Sequence, residues 1–247
     1  MRITVVTIFP DMFKFITEFG IVKRAIDSGI LDFEVVNLRD YTTDKHRTTD
    51  DYQYGGGPGM VMKIEPFYRL YDEIRQKGRE PFVILPTPRG EIFNDKMAQE
   101  LSKREDIVFF CGRYEGIDER ITKIVDSEIS IGDYVLSCGE LAAMVIIDAT
   151  LRFVPGVLGN EKSVESESIT SGLIDHPVYT RPYEFRGMKV PDVLLSGDHE
   201  KVEMYRLKES LKLTILKRPD LFMKKELGEK EKRALIQLVK ELMKDAG

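Results

Sequence analysis

From Leu141 to Leu151 the chain reads Leu, Ala, Ala, Met, Val, Ile, Ile, Asp, Ala, Thr, Leu, so a helix formed there is apolar around nearly its whole circumference. Such a helix has to be covered on more than one side. A sheet of the same chain can cover one face, and a second copy of the chain is the cover expected on the other, which predicts a homodimer. Ser137 followed three residues on by Glu140 reads as a capping box, the hydroxyl accepting a backbone N–H and the carboxylate reaching back to the cap. The helix therefore starts near Cys138 or Gly139. Asp148 and Arg152 interrupt the apolar surface, four apart with the acid first, the spacing of a helical ion pair. The sharper alternative is that Arg152, carried by a rigid helix beside a glycine-bearing loop, presents a fixed positive charge to a site.

Upstream, residues 3–9 form a β-branched run, and Pro10-Asp11 opens a helix with Met12, Phe13, Ile16 and Phe19 on one face, ending at Gly20. A short helix over 21–28 and a strand over 33–38 follow. This is strand-helix-strand, the unit of an α/β sheet. After a helix near 65–77, the wholly apolar runs FVIL (82–85) and IVFFC (107–111) have the character of central parallel strands, with a helix over 94–103 between them. A third candidate strand covers 127–131. Each of the three ends in a distinctive loop: PTPRG at 86–90, GRYEG at 112–116 and GDYVLSCG at 132–139. Ligands of open α/β sheets sit beyond the carboxyl ends of the strands, so the three loops predict one composite pocket. It would be narrow and lined largely by backbone, suiting a flat ring and a ribose better than a triphosphate. Glu115 either receives a ligand's amine or caps a helix beginning at Ile117, and the sequence leaves both open.

Residues 40–59 break the pattern with a polar loop holding Asp44, Lys45, His46, Arg47, Asp50 and Asp51 before GGGPG at 55–59. Loops this long in compact domains are usually functional or disordered. GGGPG matches neither the dinucleotide nor the P-loop fingerprint, and a flexible turn fits it as well as a ligand cradle. Past Phe153 the periodicity stops, and 155–191, with SVESES at 163–168, reads as a linker. Amphipathic helices are expected over 198–217 and 229–244, separated by Arg218-Pro219-Asp220.

The net charge of −5 argues against nucleic-acid binding through bulk electrostatics. The distribution is uneven, for residues 170–247 hold 16 Lys and Arg against 13 Asp and Glu. An acidic body with a basic tail suits an enzyme with a separate anion-binding module, and equally a solvated helical surface. Cys111 and Cys138 make no disulfide framework, and His46, His176 and His199 are too scattered for a metal motif. With no secretory leader and no membrane-length apolar run, the expected location is cytoplasmic, away from any membrane.

Five blocks then stand out together: YGGGPGM (54–60), CGRYEGIDERI (111–121), SIGDYVLS (130–137), RFVPGVLG (152–159) and HPVYTRP (176–182). In these residues and this order, the chain resembles the bacterial tRNA (guanine-N1)-methyltransferase family of the SPOUT class over nearly its whole length. The resemblance implies an α/β fold with a SPOUT-type open parallel sheet and a deep trefoil knot over 1–160. It further implies a mobile linker at 161–171 and a small C-terminal helical, tRNA-binding domain at 172–247. Periodicity alone leads only to an ordinary unknotted sheet.

The cofactor the resemblance implies is S-adenosylmethionine, held by Leu85, Pro86 and Thr87, by Gly112, Tyr114, Glu115 and Gly116, and by Ile131, Gly132, Tyr134, Val135, Leu136 and Gly139. The activity implied is methyl transfer to N1 of the guanosine immediately 3′ of the anticodon in tRNA, by an obligate homodimer with sites shared between subunits. Guanine N1 carries a proton, so a carboxylate base is needed, and charge developing toward the ring oxygen calls for a fixed guanidinium. The family pattern puts these roles on Glu167 and Arg152. Many relatives have aspartate where Glu167 stands, and Glu165 or Asp175 are the neighbouring carboxylates a small alignment shift would choose. Cys138 and Ala142 stand where relatives commonly have Gly and Pro.

For the anticodon arm the resemblance points to Asp50, Gly57, Gly59, Asp175 and Arg181, with Arg186, Lys189, Lys201, Arg206 and Lys208 as charge-compatible phosphate contacts. It leaves magnesium open as a further participant, and no motif defines a cage for it. The competing readings are an α/β enzyme acting on a small nucleotide metabolite, a non-catalytic RNA-binding module, and methylation at a different tRNA position.

Overall fold

The computed structural model describes residues 1–158 and 171–245. The chain divides into two compact units, Met1–Gly159 and Asn160–Gly247. The strands of the first are β1 (Arg2–Thr7), β2 (Asp32–Asn37), β3 (Asp50–Tyr52), β4 (Met60–Met62), β5 (Phe82–Ile92), β6 (Asp106–Phe110) and β7 (Ser127–Ser130). Five of them make one parallel sheet in the order β2-β1-β6-β5-β7. The others pair as an antiparallel hairpin, Asp50 opposite Met62 and Tyr52 opposite Met60. The helices are α1 (Lys14–Glu18), α2 (Gly20–Asp27), α3 (Ile64–Gln76), α4 (Asp95–Leu101) and α5 (Gly139–Leu151).

The uniformly apolar strands follow from a sheet buried on both faces. Ile3, Val5, Ile84, Ile107, Phe109 and Ile129 point to one side, into a core shared with Val22 and Ala25 of α2 and Ile146 and Ile147 of α5. The alternate residues Val6, Val83, Leu85, Val108 and Phe110 point to the other, against Phe67, Leu70 and Ile74 of α3. The Phe67 and Phe110 rings meet with centroids 5.1 Å apart. Each such side chain contributes roughly 1.5–3 kcal/mol of transfer free energy, the main favourable term here.

Three local expectations are corrected. PTPRG is not a free loop, for β5 continues through it to Ile92 and pairs with β7 on either side of an irregularity between Pro86 and Glu91. A bulge of this kind re-aims a strand without ending it, and apolar periodicity cannot register it. Gly90 is needed there, since a Cβ would lie 2.4 Å from the Glu128 carbonyl carbon. Secondly, α5 begins at Gly139 as expected, but its N-cap Cys138 makes no side-chain cap bond, and Glu140 is wholly buried. The carboxylate finds better partners inside than at the helix end. Thirdly, Glu115 caps nothing: the helical turn is 3-10, spans Glu119–Lys123, and is capped by Asp118 accepting from the Arg120 N–H.

Helix α5 buries Ala142, Ala143, Ile146, Ile147, Thr150 and Leu151 and leaves Leu141 and Val145 at 41% and 49% exposure. One apolar side is covered within the unit and the other is open.

The second unit contains a hairpin of β8 (Glu184–Phe185) and β9 (Met188–Lys189), then helices α6 (His199–Lys217), α7 (Pro219–Lys224) and α8 (Glu229–Asp245). The hairpin lies inside the stretch read as linker. Helix α7 starts at the Pro219 read as a separator; proline suits a first helical turn because that N–H has no intrahelical partner. Leu173, Leu211, Ala234 and Leu238 form its core. Of the linker expected at 161–171, all but Ser171 lies outside the described residues, and Glu165 and Glu167 lie there too.

Candidate active site

Beyond the carboxyl ends of β6 and β7, and beside the middle of β5, lies a cavity of about 400 Å³. Leu85, Pro86 and Thr87 line it from β5. Gly112, Tyr114, Glu115 and Gly116 line it from the segment after β6, and Ile131, Gly132, Tyr134, Val135 and Leu136 from the segment after β7, with Gly139 at the start of α5. All thirteen residues grouped from the sequence thus surround one space. The structure adds Arg89, Arg113, Glu119, Ser130, Ser137, Cys138 and Ala142 to the wall.

The loops are held largely by backbone. The Gly139 N–H donates to the Gly112 carbonyl at 2.8 Å, and Arg113 and Cys138 form an isolated antiparallel bridge. Tyr114 adopts a left-handed conformation at φ 58°, unusual for a residue with a side chain. After β7, Gly132 at φ 145° turns the chain, the Tyr134 hydroxyl donates to the Ile131 carbonyl at 3.2 Å, and Ser130 and Gly132 hydrogen-bond each other. Tyr114, Tyr134 and Val135 remain more than half exposed at the mouth.

The β3–β4 hairpin forms an outer wall. Glu115 N–H donates to Met60, Met62 N–H to Gly116, and Asp118 N–H to Met62, all within 2.9–3.0 Å. GGGPG is therefore the turn of a hairpin docked on the 112–118 segment, with Gly55, Gly56, Gly57 and Gly59 all at positive φ. Gly59 lies so near Glu115 that an added Cβ would stand 2.5 Å from the carboxylate. Asp50, Gly57 and Gly59 accordingly sit on one element touching the cavity's edge.

Arg152 does not line the cavity. It is the C-cap of α5, half-buried, and it engages a partner. Thirteen residues separate it from Gly139, about 20 Å at ~1.5 Å per helical residue. Asp175 and Arg181 belong to the second unit, where Arg181 is exposed and partial burial, then Arg206, lower the pKa of His176 against the opposing charge of neighbouring Asp175. Among the described residues, no group of three His, Cys, Asp or Glu could hold a metal ion.

Two residues escaped the sequence reading. Arg113 lies inside the quoted GRYEG block, and its guanidinium stacks on the Phe9 ring at 4.0 Å. Glu140 was read as a cap; the available signal was a carboxylate entering an otherwise uncharged helical turn.

The comparisons with known proteins agree in direction. The family model described as tRNA (Guanine-1)-methyltransferase TrmD matches residues 1–224. The chain is 65% identical to the tRNA (guanine-N(1)-)-methyltransferase of Thermotoga maritima over 98% of its length and 99% of the relative's. It is 52% identical to the protein of that name from Dictyoglomus turgidum, over 99% of each chain. The crystal structure of the tRNA (m1G37) methyltransferase from Aquifex aeolicus superposes with a TM-score of 0.75 at 46% identity, covering 91% of this chain and 95% of that one. With loops, cavity and whole-length similarity pointing one way, the chain belongs to the tRNA (guanine-1)-methyltransferase TrmD family, and it is a methyltransferase.

Proposed function

We propose that this protein transfers the methyl group of S-adenosylmethionine to N1 of the guanosine immediately 3′ of the anticodon in tRNA. The observation that carries this reading is the convergence of the bulged middle of β5 and the two loops after β6 and β7, spread from Leu85 to Gly139 in the sequence, on one small cavity in a chain whose relatives are tRNA (guanine-N(1)-)-methyltransferases. The cavity fits the donor. Its volume lies in the range of small-ligand sites. Leu85, Ile131 and Tyr134 offer apolar surface to an adenine, and Glu115 offers a negative charge to the cationic methionine end. When bound, the donor supplies a methyl group already activated on a sulfonium.

The protein's own tasks are then positioning, removal of the N1 proton and stabilisation of negative charge near the ring oxygen. Glu167 is the proposed base and Arg152 the proposed guanidinium, both on the family pattern. Since Arg152 stands about 15 Å along α5 from Ala142, the last helix residue lining the cavity, the arginine of each site comes from a second copy of the chain. The open apolar face of α5, Leu141 and Val145, is where that copy would pack. This gives a homodimer with shared sites.

The trefoil knot is carried by family membership; the Gly139–Gly112 backbone contact shows that the segment leaving β7 packs directly against the one leaving β6. We assign 1–160 to the donor domain, 161–171 to a linker and 172–247 to an anticodon-arm domain. Lys201 there sits in a surface pair with Asp198, weak enough for a phosphate to displace, whereas Lys208 is largely buried against Glu241. Among the described residues no helix is long and apolar enough to cross a membrane; the cytoplasmic reading rests on the proposed tRNA substrate.

The test is transfer of labelled methyl from S-adenosylmethionine to a tRNA with guanosine after the anticodon, beside the same tRNA with that base changed. Label on the first alone is expected. Label on both moves the target nucleotide, and label on neither removes the assignment.

A further inference from the structure

Glu140 is the most thoroughly buried carboxylate of the first unit, at 0% exposure, and the chemistry above makes no use of it. Its Oε1 accepts the Thr7 hydroxyl at 2.5 Å, and Thr7 Oγ1 in turn accepts the Phe9 N–H at 2.9 Å. The Arg113 Nε stands 3.4 Å from both carboxylate oxygens. Oε2 has no hydrogen bond among the described residues. A neutral amide would satisfy Thr7 equally well, without the desolvation cost of an ion. The one neighbour that a neutral group cannot answer is Arg113.

Arg113 has no other anionic partner among the described residues. Its side chain is 20% exposed, its guanidinium lies on the Phe9 ring, and one terminal nitrogen meets only the Met12 thioether at 3.0 Å. Its backbone forms the cavity wall between Gly112 and left-handed Tyr114. A non-glycine residue held in that region persists only where its surroundings over-determine it. Backbone contacts of Arg113 with Cys138 and of Glu115 with Met60 anchor the main chain on either side of Tyr114; the Arg113 side chain adds a further anchor, and Glu140 is its anionic partner.

We propose that Glu140 is a positioning residue of the methyl-donor site, acting through Arg113 to hold the 112–116 wall in its donor-binding conformation; this rests on the donor reading above. The carboxylate joins three parts of the chain, the end of β1, the segment after β6 and the start of α5. Of these contacts, the pairing with Arg113 is the one that reaches the cavity.

The test uses the full chain with Glu140→Gln, with Arg113→Met, and with both. Affinity for S-adenosylmethionine is measured by calorimetric titration without RNA, with kcat, donor KM and Tm in parallel. Glu140→Gln is expected to weaken donor binding about tenfold, because a buried charge has lost its partner. At saturating donor, kcat should stay within about threefold. The double variant should bind no more weakly than the weaker single one, as for two residues acting in series. Glu140→Gln that lowers Tm while binding donor as tightly as wild type overturns the inference, as does an additive double variant. Arg113→Met tests the same link if Glu140→Gln does not fold, and wild-type affinity there also overturns it. Wild-type protein that binds no donor overturns the functional reading itself.

Discussion

Gly112 and Gly139 touch backbone to backbone: the Gly139 N–H reaches the Gly112 carbonyl at 2.8 Å, and a Cβ on Gly139 would stand 2.9 Å from the Gly112 nitrogen and 3.2 Å from the Cys111 Cα. Those neighbours are main chain and cannot rotate away. Gly139→Ala is therefore expected to force α5 off the β6 segment, costing about 1–3 kcal/mol of stability. It should also open the cavity floor. A thermal melt and a donor titration read the two effects, and a variant unchanged in both would mean the contact is looser than its geometry.

The open face of α5 makes a second prediction. Val145→Glu places a charge in the middle of the proposed dimer contact, and the expected outcome is a monomer by sedimentation with activity lost. If sites are shared, Gly139→Ala damages the cavity of its own chain and Arg152→Ala removes a guanidinium from the other's site. Mixing the two inactive variants should then regenerate activity, since one kind of heterodimer site has both parts intact. Continued inactivity of the mixture under conditions of subunit exchange would place Arg152 elsewhere.

Glu167 is outside the described residues, so its role is accessible only by substitution. Glu167→Gln keeps shape and removes the base. Turnover should fall by at least 100-fold, in line with loss of a general base, while donor affinity stays at the wild-type value. Near-normal turnover would pass the role to Glu165 or Asp175.

His176 supplies a pH dependence. Partial burial first, and the Arg206 cation second, pull its imidazole below the ordinary 6.5, with Asp175 opposing. Between the folded value and 6.5 the unfolded chain binds more proton, so stability rises with pH across that window. The contribution is complete above 6.5 and is lost as pH falls through the folded value. Proton NMR of the ring should show the low midpoint, and His176→Gln should flatten the decline of Tm between pH 7 and 5. A decline of equal steepness in the variant would assign it to other groups.

Local patterns carried much of this molecule. The alternation hidden in FVIL and IVFFC, the amphipathic spacing of Phe67, Leu70 and Ile74, and the helix from Gly139 all arise from interactions within a few residues, which periodicity records. The loops after β6 and β7 were legible for the same reason. What stayed illegible was of two kinds. Some short elements were overruled by tertiary pairing, as where β5 runs on through PTPRG because β7 offers it hydrogen bonds. Others were short turns with ambiguous residues, as where Pro219 opens a helix instead of separating two.

The amino-acid sequence by itself determined the α/β class, the places of the core strands and helices, the residues gathered round the cavity and, through its motifs, the family. Only the tertiary structure decided where Glu140 goes. Its cap partner lies three residues away and its actual partner, Thr7, lies 133 residues away. A burial site formed by three distant segments outweighs one exposed cap bond, and no local pattern contains the geometry in which those segments meet.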